Sequence, residues 1–118
     1  FTKKHEAMEE FETQWTREEL KAYILLYCAY ANFVETEEER NFIKEKVGEE
    51  KYRKIHKEFD SDNDYQRIQK IQHTVARFDY SKHEIDRLFA NIKKMFLADG
   101  EIDILEKNIY QGLQHLLK

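Results

Sequence analysis

Apolar residues recur every three or four positions along nearly the whole chain, the spacing of helices that each bury one face. Met8, Phe11 and Trp15 predict a short amphipathic first helix over residues 3–14. The capping box Thr16-Arg17-Glu18-Glu19 opens a second helix running to about Ala31. Its stripe of Leu20, Ile24, Cys28 and Ala31 has Leu25 and Ala29 beside it and further apolar residues on both flanks, so this helix is expected to be the most buried. Thr36 restarts a helix anchored by Phe42, Ile43 and Val47 and ended by Gly48. Tyr52, Ile55 and Phe59 hold a charged helix over 49–59, after which Asp60-Ser61-Asp62-Asn63-Asp64 reads as a loop that supplies the next cap. A helix with Tyr65, Ile68, Ile71, Val75 and Phe78 follows. Ser81-Lys82-His83-Glu84 is another capping box, opening a helix that carries Ile85, Leu88, Phe89, Ile92, Met95 and Phe96. Asp103 opens the last, with Ile104, Ile109, Leu113, Leu116 and Leu117.

Composition supports the same reading. The chain has 118 residues, no proline and three glycines, which leaves few turn-makers for a β protein. The expected fold is all-α, six to seven helices in one domain over 16–118, preceded by the amphipathic segment 1–15. Charged residues make up 37%, yet the net charge is only −4 and no basic arm or stripe appears. Nucleic acid is therefore not an expected partner. No segment approaches the ~20 apolar residues of a membrane span. Cys28 is the only cysteine, so no internal disulfide can form, in keeping with a reducing, cytoplasmic setting. The chain opens at Phe1 without a signal-peptide pattern and reads as a piece of something longer.

Two segments share their punctuation. Residues 31–39 (Ala-Asn-Phe-Val-Glu-Thr-Glu-Glu-Glu) align without a gap on residues 98–106 (Ala-Asp-Gly-Glu-Ile-Asp-Ile-Leu-Glu). Each ends an apolar stripe on a small residue, crosses a short turn and reaches a cap (Thr36, Asp103) followed three positions later by glutamate. The same offset superposes Leu25, Cys28 and Ala29 on Ile92, Met95 and Phe96, and Phe42 and Ile43 on Ile109 and Tyr110. Two helical hairpins, 17–47 and 82–117, are expected to be related by a pseudo-two-fold axis, with two helices between them.

The phrase Ala98-Asp99-Gly100-Glu101-Ile102-Asp103 followed by Glu106 resembles the acidic corner of the TerB-like tellurite-resistance fold, also found at the start of a DnaJ-like co-chaperone. The resemblance implies a duplicated helical hairpin, acidic residues from both corners on one face, and a stress or tellurite-resistance context. Carried over by position, it implies a divalent-cation site made of Glu39, Asp99, Glu106 and Asn32. Asn32 stands where the pattern has aspartate, so a bound calcium or magnesium is expected to be held weakly. Phe33 stands where it has glycine; Phe would be strained at a left-handed position, so the first corner is expected to turn differently. Glu39 and Glu106 also sit where a capping glutamate serves its own helix and nothing else.

Other candidates carry less chemistry. The run from Asp60 starts like a calcium loop, but Tyr65 stands where glycine is needed and Ile71 where glutamate is. His56 and Asp60 are four apart, with no second pair to complete a zinc site, and His56 reads as a surface histidine. Cys28 reads as a small buried hydrophobe. No nucleophile lies beside a base, so the chain is read as a non-enzyme. Tyr23, Tyr27 and Tyr30 form a stripe that either packs inward or offers a docking face. The alternative to a site for a cation or a basic partner is thus a metal-free module that binds another protein through aromatic faces.

Overall fold

The computed structural model describes residues 11–98 and 100–117, with only the backbone at Asn32. Among these residues the chain forms six α-helices and no strand. They are α1 (Arg17–Ala29), followed by a 3-10 turn (Tyr30–Asn32), α2 (Glu37–Val47), α3 (Glu49–Ser61), α4 (Asp64–Phe78), α5 (Lys82–Leu97) and α6 (Ile104–Leu117). The all-α expectation is met. No helix among the described residues is long and apolar enough to cross a membrane.

Capping sets where the helices start. Reciprocal boxes pair Thr16 with Glu19, Thr36 with Glu39, Asn63 with Gln66 and Ser81 with Glu84. Asp103 and Glu106 exchange the same two bonds at the start of α6. Each box satisfies two amides that the helix itself leaves unpaired. The start of α3 differs: Gly48, at φ 90°, both ends α2 and begins α3, its N–H donating to the Lys44 carbonyl at 2.8 Å.

Apolar flanks on every side leave α1 one stable place, the centre, and it packs against all the other described helices. Leu20, Ala22, Tyr23, Ile24, Leu25, Leu26 and Cys28 are wholly inaccessible. Side chains of α5 and α6 close the core: Ile92, Met95 and Phe96 are also fully buried and Leu113 is 1% exposed. Burying each large side chain contributes roughly 1.5–3 kcal/mol.

Two expectations need correction, and one open alternative is decided. The helix foreseen over 3–14 lies mostly outside the described residues, and within them it does not continue past Phe11. The segment after Phe11 is a strap, held by the Thr13–Thr74 hydroxyl bond (2.8 Å), by the Trp15 ring against Tyr23, and by Arg77 donating to the Trp15 carbonyl. Second, the polar run 60–64 is barely a loop, because α3 continues to Ser61 and α4 begins at Asp64. Lys70 reaches Glu58 at 3.0 Å and Asp62 at 2.8 Å, while Arg67 bonds the Phe59 carbonyl, so the α3 end is fastened by side chains of α4. The tyrosine stripe, which could pack inward or offer a docking face, packs inward: Tyr23 is fully buried and Tyr27 and Tyr30 lie partly buried against the core. The Tyr23 hydroxyl donates to Asp62 (2.7 Å) from a fully buried ring.

Candidate functional site: two joined corners

The α1–α2 and α5–α6 corners each pass through a positive-φ residue at the aligned position. Phe33 takes a left-handed conformation (φ 69°) and its N–H donates to the Tyr30 carbonyl at 2.9 Å. Gly100, at the aligned position, has φ 113° and donates to the Leu97 carbonyl at 3.1 Å. Phe33 thus takes a left-handed conformation in spite of its side chain. With its side chain 86% exposed, the ring meets no crowding beyond its own backbone, so the cost is confined to the local dihedrals. Asp99 lies outside the described residues, as does the side chain of Asn32.

Past each turn, the capping glutamate points its carboxyl inward. Glu39 Oε1 accepts from the Thr36 amide at 3.0 Å, and Glu106 Oε1 accepts from the Asp103 amide at 3.0 Å. Both residues are buried, at 1% and 3% exposed, and the Glu106 carboxyl lies near enough to act on that of Glu39. Glu39 Oε2 is buried, and among the described residues no hydrogen-bond donor reaches it. Burial pushes the Glu39 carboxyl up to about 7; the two Thr36 hydrogen bonds oppose this and the facing Glu106 adds to it.

Glu19 shows what this pair lacks. It is a capping glutamate too, 6% exposed, but Lys54 Nζ sits 2.7 Å from its second oxygen. Burial alone would raise its carboxyl; the Lys54 bond and charge, with the Thr16 cap, outweigh that and hold it below the ordinary value. At the joined corners a second carboxyl stands where Glu19 has a cation. Beneath them Cys28 is fully buried, and burial followed by the charges of Glu39 and Glu106 pushes its thiol far up. The thiol stays protonated and inert.

No protein family, curated protein or solved structure matches this chain.

The sequence-predicted site residues thus divide. Glu39 and Glu106 meet, while the side chains of Asn32 and Asp99 are not described. Among the described residues, no cluster of three or more histidine, cysteine or carboxylate side chains is arranged to hold a metal. The donors that do meet are carboxylate oxygens, the chemistry of calcium and magnesium; with the thiol held protonated, zinc has no soft ligand here.

Nothing in the local pattern singles out Glu35, yet it is 7% exposed and organises the rest of the first corner. The Tyr52 hydroxyl lies 2.9 Å from both its oxygens, Arg40 Nε is at 3.6 Å and His56 Nε2 at 3.4 Å. Far from being a simple surface residue, His56 has its other ring nitrogen 3.0 Å from Asp60 and Nε2 3.2 Å from the Tyr30 hydroxyl. The one signal for Glu35 is its alignment with Ile102, a half-buried residue packed against the core. Every oxygen of Glu35 has protein partners, which marks this cluster as a brace between the corner and α3.

Proposed function

We propose that this chain is a TerB-like helical domain, built from a duplicated hairpin with pseudo-two-fold symmetry, whose joined corners bind a divalent cation, magnesium or calcium. The observation that carries the reading is Glu39 Oε2, buried without a donor among the described residues and facing a second buried carboxyl group. Two carboxylates brought together away from water require a positive charge between them, either a proton or a cation. Glu39 and Glu106 would supply the central ligands, Asp99 and Asn32 by position the outer ones, and water the remainder. The duplication draws support from the two corners, whose left-handed residues and capping boxes fall at aligned positions.

The test is a melting curve at pH 8, with magnesium, calcium or chelator, at matched ionic strength. A cation at ten times its dissociation constant stabilises by about 1.4 kcal/mol through mass action. The native chain should melt higher with either cation, Asn32→Asp higher still, and Glu39→Gln should not respond. An unchanged melting temperature in both the native chain and Asn32→Asp would leave Glu39 and Glu106 as helix caps alone.

A further inference from the structure

The strap that follows Phe11 lies on the helices as a bound extended peptide would. From Phe11 to Thr16 burial alternates residue by residue: Phe11, Thr13 and Trp15 are buried, while Glu12, Gln14 and Thr16 are exposed. Period two is the signature of an extended chain with one side down and one side up. Each buried side chain has its own receiving place. The Phe11 ring meets Tyr65 edge-on, centroids 5.7 Å apart, and stacks on His73 at 5.9 Å. Thr13 shares a hydroxyl bond with Thr74, itself 1% exposed. The Trp15 ring packs on Tyr23 at 4.4 Å, and its indole N–H donates to Glu58 Oε1 at 3.1 Å. Tyr23 belongs to α1, Glu58 to α3 and the other three to α4, so helices that come later in the chain build the groove.

Side chains do the fastening. Among the described residues, no backbone-to-backbone hydrogen bond joins residues 12–15 to the helices; the Trp15 carbonyl is held by the Arg77 side chain instead, at 2.8 Å. The strap therefore carries its whole recognition pattern in five residues, aromatic-x-Thr-x-Trp, and pockets that take alternate side chains are a common way to select an extended segment. We infer that the groove of α1, α3 and α4 is a site for this pattern, and that its occupant in trans is the strap of a second copy of this chain, the two copies exchanging residues 11–15. Exchange of an identical segment re-forms each contact that it breaks, so the second copy brings no new chemistry and needs none. Thr16, the N-cap of α1, is already extended at φ −77° and ψ 171°, so the strap leaves the helix without unwinding it. The groove uses neither Glu39 nor Glu106, and the exchange stands apart from the cation reading.

The test places one cysteine on each side of the Thr13–Thr74 contact, in separate chains. Thr13→Cys puts a thiol on the strap and Thr74→Cys puts one in the groove, so neither chain can close this bond within itself. Mixed and mildly oxidised, the two should give a disulfide-linked pair. Its yield should rise as concentration approaches about 1 mM, the effective concentration of a short tether against which exchange competes. Glu12→Cys, on the exposed side of the strap, should give no pair with Thr74→Cys above background. A second measurement uses Trp15, the only tryptophan in the chain. A synthetic peptide copying residues 11–16 supplies the sole indole when added to Trp15→Ala, and its emission should shift saturably to the blue. A peptide of the same composition in scrambled order should not shift. The proposal is overturned if no Thr13→Cys–Thr74→Cys pair forms or if Glu12→Cys pairs as well. A peptide that binds Trp15→Ala where no mixed pair forms would also overturn it, assigning the groove to another protein's segment of the same pattern. If Trp15→Ala does not fold, the cysteine pairing decides alone.

Discussion

Replacing Glu39 with glutamine isolates the charge of the buried pair from its capping role. Glutamine serves at the third position of a capping box as glutamate does, so the bond to the Thr36 amide survives. What goes is one of two facing negative charges. The Glu39 carboxyl lies at about 7 in the folded chain against an ordinary 4.5. Between those values the folded state holds a proton that the unfolded state has released. Stability is therefore highest on the acid side, falls as pH rises through that window, and is level above it. At ~1.4 kcal/mol per pH unit the loss amounts to ~3 kcal/mol. An unfolding entropy of about 0.25 kcal/mol/K, the scale for a domain this size, converts that to ~10 °C. In chelator at pH 8, Glu39→Gln should thus melt up to ~10 °C above the native chain, and near pH 4.5 the two should nearly coincide. Calorimetry at the two pH values measures both terms. A variant that is destabilised equally at acid and alkaline pH would refute a repulsive pair and leave a plain hydrogen-bonded cap.

Phe96→Ala should cost ~3–5 kcal/mol in a denaturant titration, because the ring is wholly buried and its site is walled by neighbouring helices; a loss under ~1 kcal/mol would show the packing to be misread. Tyr52→Phe removes the hydroxyl 2.9 Å from both oxygens of the buried Glu35 and should cost about 1–3 kcal/mol, with urea unfolding as the measure. Phe33→Gly should stabilise by about 0.5–1 kcal/mol, the left-handed strain of a bulky residue less the added entropy of glycine; a lower melting temperature would show that the exposed ring is packed after all. Arg53→Ala, which breaks an exposed ion pair to Glu49 at 3.5 Å, should change stability by less than ~0.5 kcal/mol in the same titration.

Local signals in the sequence determined the helices. Thr16, Thr36, Ser81 and Asp103 each begin a helix because a cap and its glutamate act within four residues, a range over which the chain needs no tertiary partner. The inward positions Leu25, Cys28, Ile92, Met95, Phe96 and Leu113 followed from periodicity, because an apolar stripe has only the core in which to hide. Tertiary structure decided everything that depends on what arrives from elsewhere in the chain. Trp15 leaves its predicted helix for a strap because Tyr23 and Arg77 receive it. Asp60 stays in α3, whose C-terminal end Arg67 and Lys70 of α4 fasten. Glu35 is buried because Tyr52, Arg40 and His56, all distant or on the far side of a turn, supply its donors. The same holds for the three buried capping glutamates, which look alike in sequence. Lys54 neutralises Glu19, whereas Glu39 and Glu106 face each other, and only the packing of α1 against α3 and of α6 against the first corner settles which carboxyl meets a cation and which meets another carboxyl. Burial raises both carboxyls, and Lys54 with the Thr16 cap reverses this only at Glu19, so identical capping boxes leave one glutamate held below its usual value and another raised toward neutrality.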